Sequence, residues 1–322
     1  MQASQQQAIL SIALLAAFAD GNNDEREREH IRGLAQSLGQ ESGLDLSRLY
    51  QDVLFKRVDL ASVCAQLTDS AERQFAYEMA VCVCDADGST SAAERAFLAD
   101  LKMRLGQDTP TSSLFQREAD TLAHAGQSIV PQYAPVPSSS SSVQAVQSST
   151  VDTAAIDSSI LKSSILNGAL ELLPQTWASV AIIPLQIKLV YNIGQRYGYD
   201  LDQGHIREFI STVGVGLTSQ YLEQFGRKLM GGLFGKVGGK WGKTLGGAAT
   251  GMAFSFASTY ALGQVAKRYY AGGRTMSTAV LQQTFQETLG SAKNMQTQYL
   301  PEIQKRASTL NAGEIMALVK GK

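Results

Sequence analysis

Apolar residues recur at helical spacing along almost the whole chain, and almost no stretch alternates in the manner of a strand. That pattern restricts the fold to the all-α class. Ile9, Ile12, Leu15 and Phe18 share one helical face, and Ile31, Leu34 and Leu38 form the next stripe. Leu46, Leu49, Tyr50 and Val53 follow, then Val58, Leu60, Val63 and Leu67. Phe75, Met79 and Val83 mark a fifth helix, and Phe97, Leu98, Leu101 and Leu105 a sixth. The intervals between stripes are short, so neighbouring helices are expected to pack antiparallel in a bundle. The first apolar run, AILSIALLAAFA, has no Lys or Arg before it and is cut at Asp20. It reads as a buried helix and not as a targeting segment.

From about residue 107 the periodicity weakens. Residues 131–150, PQYAPVPSSSSSVQAVQSST, hold three prolines, a five-serine run and no charge. Such a stretch cannot bury enough apolar surface to offset its chain entropy, so it is expected to link two units. Helical patterning resumes near Ile160. The division expected is a bundle over 1–106, a Ser/Pro-rich linker over 107–157 and a glycine-rich helical domain over 158–322. Charge divides the same way. The net charge is −1 over 322 residues, but residues 1–130 carry −8, residues 131–157 carry −2 and residues 158–322 carry +9. A basic half of this kind suits an anionic partner or an anionic membrane surface, or the acidic half itself. The bases are spread out and form no recognition motif, so nucleic acid is not an expected partner.

The first third contains a repeat. Ala19-Asp20-Gly21 followed by Glu27-Arg28 recurs as Ala86-Asp87-Gly88 followed by Glu94-Arg95, an offset of 67 residues. Two related helical halves with pseudo-twofold symmetry are implied. Two readings of the acids stand side by side. In the first, Gly21 and Gly88 end helices in a left-handed conformation, and Asp24…Glu27 and Ser91…Glu94 are capping boxes that satisfy backbone donors. In the second, the paired turns bring Asp20, Glu27, Asp85, Asp87 and Glu94 together as a site for a divalent cation. The spacing overlaps part of a calcium-binding loop, but Val83 and Ala16 stand where that loop needs a first carboxylate. Cys64, Cys82 and Cys84 form no CxxC, and the MAVCVC context suits burial as small hydrophobes in a reducing compartment.

This repeat inside a helical bundle of about 105 residues resembles the TerB-like tellurite-resistance fold. The resemblance implies a small all-α domain in which Asp20, Glu27, Asp87 and Glu94 are the positions for metal binding or scaffolding. It also implies a setting in stress response.

The last half is rich in glycine. Residues 227–247, RKLMGGLFGKVGGKWGKTLGG, place Gly231, Gly235 and Gly239 in one overlapping GxxxG series and Gly242 and Gly246 in another. Gly247 and Gly251 form a third step. That spacing lets a second helix approach closely, in a membrane or in a soluble bundle. Thr244–Ala266 is a window of 23 uncharged residues flanked by Lys243 and by Lys267-Arg268. Its length is that of a bilayer span, although its Gly, Ala, Ser and Thr make it only weakly apolar. Leu172–Ile187 is also uncharged but short, with Pro174 and Pro184. GGKWGKT lacks the first glycine of a phosphate-binding loop, since Val237 occupies that position, and no strand precedes it. His30, His124 and His205 are isolated, with no zinc-ligand spacing.

PLQIKLVYNIGQRYGYDLD (184–202), GRKLMGGLFG (226–235) and FASTYALGQVAKRYYAGGR (256–274) resemble the YcjF-type family of membrane-associated bacterial proteins. That resemblance implies a GTPase neighbour and carries no catalytic residues. The expected function is a non-enzymatic, membrane-associated adaptor or sensor whose acidic bundle recruits a protein partner or a divalent metal. The alternative is a soluble regulatory partner of a GTPase. Trp177, Trp241, Tyr269 and Tyr270 suit a membrane interface or core packing equally. The expected location is the cytoplasmic side of a bacterial inner membrane, or else the cytoplasm. No organic cofactor is expected, and a homo-oligomer is compatible with the glycine faces.

Overall fold

The computed structural model describes residues 3–21, 28–29, 31–33, 35–36, 45–86, 90–127, 151–173, 180–213, 222 and 245–320. All regular structure among these is helical, with no strand, as the periodicity requires.

The N-terminal bundle is built around α1 (Ala3–Ala17) and α4 (Ser70–Cys84). α2 (Leu46–Leu54), α3 (Leu60–Ala65) and α5 (Ala92–Arg104) pack around them. Each bound of α4 lies 67 residues after that of α1, so the repeated motif marks two equivalent helices lying against each other. Both are buried nearly all round. Ala8, Ile9, Leu10, Ile12, Ala13, Leu14, Ala16 and Ala17 fill α1, and every residue from Ala76 to Cys84 is buried in α4. The signal-like apolar run is therefore the central helix of a core. A helix hydrophobic on all sides needs protein on all sides.

Carboxylates start the surrounding helices. Asp45 accepts from the Arg48 N–H at 3.0 Å, Asp59 from Ser62 at 2.8 Å and Asp69 from Ala71 at 2.8 Å. Each satisfies a donor that the helix leaves open and meets the positive end of its dipole. Much of the acidic excess of this half is thus spent on helix starts. Gly21 (φ +71°) and Gly106 (φ +63°) end α1 and α5 in the left-handed region, the termination expected of Gly21. Ile31 and Ala35 are buried in the same core, while Leu34 and Leu38 lie outside the described residues.

The expectation of a linker from 107 to 157 is corrected at both ends. Pro110–Gln127 forms α6, and α7 (Thr153–Glu171) begins before residue 157. α6 buries Ser112, Phe115, Ala119 and Leu122. Half of that stripe is Ser and Ala, which is why the pattern reads weakly although its spacing is helical. The Thr109 hydroxyl accepts from the Ser112 N–H at 3.1 Å and starts the helix. Residues 128–150, with the serine run, lie outside the described residues.

The second bundle surrounds α10 (Leu245–Ala271), with α7, α8 (Ile182–Arg196) and α11 (Thr278–Thr309) on its sides. α9 (Gln203–Val213) packs on α8 and α11. α12 (Ala312–Lys320) packs on α6 and α8. α6 thereby touches α4 on one side and α8 and α12 on the other, joining the two bundles. Pro184 falls in the first turn of α8, where a missing N–H costs little.

α7 and α10 run antiparallel, as their pairings show. Asp157 meets Lys267, Ile160 meets Gly263, Asn167 meets Thr259 and Glu171 meets Ser255. Advancing along one helix is retreating along the other.

Candidate functional site

The paired turns come together at Cys84. Its thiol lies 4.0 Å from the Ala16 carbonyl, at the end of the equivalent helix. Burial holds the thiol well above its usual pKa, and the carboxylates of Glu94, Asp85 and Asp20 raise it further. Those three acids thus act on the same thiol from both turns. Such a thiol is protonated and inert at neutral pH. All three cysteines are buried and free, and Cys64 is pushed up to about 11, chiefly by burial.

These carboxylates have local duties. The Ser91 hydroxyl accepts from the Glu94 N–H at 3.1 Å, and the Glu94 carboxylate accepts from the Ser91 N–H at 2.7 Å. This is the capping box expected from the spacing. Asp85 is buried and accepts from the Thr90 hydroxyl at 2.6 Å, pinning the turn that follows α4. Asp20 is half-buried beyond the end of α1. Among the described residues no group of three or more His, Cys, Asp or Glu side chains could hold a metal ion. Glu27 and Asp87, the other two acids of the expected cation site, lie outside the described residues, as does the first capping box.

In the second bundle the expected glycine series is only partly in view. Gly231, Gly235, Gly239 and Gly242 lie outside the described residues. Gly246, Gly247 and Gly251 belong to the N-terminal half of α10. Among the described residues the close approaches fall on glycines outside the expected series, Gly194 against Leu201 among them. A Cβ on Gly263 would lie 2.8 Å from two γ-carbons of Ile160, and one on Gly168 would lie 3.3 Å from the Phe256 Cβ. Trp177 and Trp241 lie outside the described residues. Tyr270 is buried against Tyr199 and Phe209 at ring separations of 5.3 and 5.9 Å, so packing accounts for it.

No described helix is long and apolar enough to cross a membrane. From Leu245 on, the uncharged window lies within α10, whose second half is buried by its neighbours. Phe256, Ala257, Ala261, Leu262, Val265 and Ala266 are all enclosed. The polar positions of the same helix, Ser255, Ser258 and Thr259, are fully buried too, and Ser255 and Thr259 meet polar groups of α7 and α8. Asn167 donates to the Thr259 hydroxyl oxygen at 2.9 Å, Gln186 donates to it at 3.1 Å, and Glu171 accepts from the Ser255 N–H at 3.3 Å. No motif in the sequence marks this polar core. The signal was present as Ser164, Asn167 and Glu171 on one face of α7, set between apolar residues at helical spacing.

The described residues define an all-α protein of two joined helical bundles. Residues 1–119, which cover α1 to α5 and the first half of α6, match the model of a family described as a protein of unknown function, DUF533. That family falls within the TerB-like group, which the repeated turns resemble. No curated protein and no solved structure matches the chain. The YcjF-type resemblance of the second half has no support from any of these comparisons.

Proposed function

We propose that this chain is a non-enzymatic adaptor whose basic half rests on an anionic membrane surface while its acidic bundle recruits a protein partner. The observation that carries the reading is the enclosure of α10. Its uncharged run is met by α7, α8 and α11, and its Thr259 hydroxyl accepts from Asn167 and Gln186 of two of them. Length without charge therefore has a sufficient cause in protein packing, and association with a bilayer falls to charge. Arg227, Lys228, Lys236, Lys240 and Lys243 supply it within seventeen residues, and each basic residue near an anionic leaflet contributes about 1 kcal/mol. The side chains of the paired turns support scaffolding over catalysis, because Glu94 and Asp85 are held by local hydrogen bonds.

Cell fractionation and vesicle flotation test this. The full chain should float with vesicles that contain anionic lipid, come off in high salt, and leave native membranes in a carbonate wash. Retention after carbonate would show a spanning segment. A wholly soluble protein that ignores anionic vesicles would overturn the proposal in favour of a soluble regulator, for which a GTPase is the partner implied by the YcjF-type resemblance.

A further inference from the structure

α2 ends on a lysine where other helices of the chain end on glycine. The Arg57 N–H donates to the Asp52 carbonyl at 2.8 Å and the Lys56 N–H to the Val53 carbonyl at 2.9 Å. That pair of bonds is a Schellman motif, with Lys56 in its left-handed position at φ +55°. The same pair closes α5, α8 and α10, with Gly106, Gly198 and Gly273 in that position. A residue with a Cβ is strained there and glycine is not. The fold gains no visible contact in exchange. Lys56 is exposed and has no ion pair among the described residues. Strain of this kind, kept where a simpler residue would fold better, marks a side chain retained for something other than folding.

The neighbours of Lys56 are exposed with it. Phe55 is 61% exposed. The buried stripe of α2 is Leu46, Leu49, Tyr50 and Val53, and Phe55 stands off that face, so core packing does not account for it. Arg57 lies over the Phe55 ring, 5.1 Å from its centroid, and 3.6 Å from the Asp52 carboxylate. Each contact is weak at an exposed position. Together they hold a ring and a guanidinium side by side before any partner arrives. Aromatic residues and arginine carry much of the binding energy of protein interfaces, and ordering them in advance lowers the entropy lost on binding.

Charge selects the partner. The acids near the turn are engaged within the protein: Asp45 and Asp59 start α2 and α3, and Asp52 lies between Arg48 and Arg57 at 3.8 and 3.6 Å. A carboxylate from outside therefore meets an unpaired Lys56 next to the ring. A broad anionic surface fits poorly, since it would face the whole acidic half, −8 over residues 1–130. A carboxylate on a short peptide meets the turn alone, because charges beyond about 8 Å are screened. We propose that Phe55-Lys56-Arg57 is the docking site for the protein partner of the acidic bundle, and that the partner presents a large apolar side chain flanked by Asp or Glu. The existence of that partner rests on the adaptor reading.

Selection of random short peptides displayed on phage, with the full chain as bait, tests this. The recovered peptides should share a large apolar residue beside Asp or Glu, and the tightest should bind less well as salt is raised. F55A and K56E should each weaken that peptide about tenfold. K56G should weaken it too while raising Tm by about 2 °C, because glycine relieves the strain. Peptides without the shared pattern, or peptides that bind F55A and K56E as well as wild type, would overturn the proposal. So would a K56G variant that melts below wild type, since the lysine would then be kept for folding. Two further outcomes overturn it by naming another occupant: loss of vesicle flotation in F55A would put lipid on the turn, and a dimer of the full chain that F55A dissolves would put a second copy there. The adaptor reading is judged separately, by flotation of the wild-type chain, and its failure there leaves the peptide result to stand or fall by itself.

Discussion

Glu94 decides between the two readings of the paired turns, because its carboxylate closes a capping box and also lies near Asp85, Asp20 and the Cys84 thiol. Glutamine can close the same box but is a poor substitute as a ligand to a divalent cation. S91A should cost about 1 kcal/mol in chemical denaturation, and E94Q should cost much less. If capping is the whole role of Glu94, calorimetric titration of the full chain with calcium or magnesium will give no heat that E94Q abolishes. A titration whose heat is lost in E94Q would establish the cation site instead. Asp202 makes the parallel case in the second half. It accepts from the His205 N–H at 2.9 Å, and that bond is the first cause holding its carboxyl below the ordinary 3.8. A depressed carboxyl adds stability above its unfolded pKa and loses it as pH falls through the folded value. D202A should therefore be less stable than wild type by about 1 kcal/mol at pH 7, and the gap should close in acid below pH 3.8. A gap unchanged at pH 3 would show that the cap does not act through its charge.

At the scale of elements, the packing of α7 on α10 is set by small residues in one line with buried polar ones. Gly263 faces Ile160 so closely that alanine there must move a β-branched side chain on a neighbouring helix. G263A should cost about 1–2 kcal/mol, since overpacking outweighs the gain in helix propensity. In an I160A background the same change should be neutral or stabilising. A double-mutant cycle from denaturant titrations reads the coupling, and additive effects would refute the contact. The helices themselves were legible in the sequence. Stripes such as Leu46, Leu49, Tyr50 and Val53 place α2 correctly, and the 67-residue repeat anticipates that α1 and α4 are equivalents. Glycine was legible only as composition. GxxxG spacing points to 231–251, yet among the described residues the close approaches include Gly168, Gly194 and Gly263, because a glycine matters where a partner arrives and not where a spacing repeats. The polar core escaped for the same reason. Asn167, Gln186 and Thr259 are ordinary residues singly, and only the antiparallel register of α7 and α10 makes them one cluster.

At the scale of the molecule, α6 turns two bundles into one packed body. Tyr77 of α4 donates to Gln116 of α6 at 2.8 Å, so α6 is tied to the first bundle. Its other side meets α8 and α12. α12 is held in turn by Lys188 of α8, which donates to the Leu318 carbonyl at 2.7 Å, and by the Arg306–Glu314 pair at 2.6 Å. Ile315 and Val319 bury the apolar face of α12. The Lys188 bond meets the negative end of the α12 dipole, although burial lowers the lysine's own pKa. A covalent connection through 131–150 is then not what keeps the halves together. A protease site placed within the serine run should, once cut, leave two fragments that co-elute in gel filtration. Removing residues 311–322 as well should weaken that association, because α6 loses one of its two seats in the second bundle. Fragments that separate on cutting alone would show that the bundles are joined only by the chain between them. In that case the acidic and basic halves act as independent modules, and the adaptor's reach is set by the length of the linker and not by a fixed geometry.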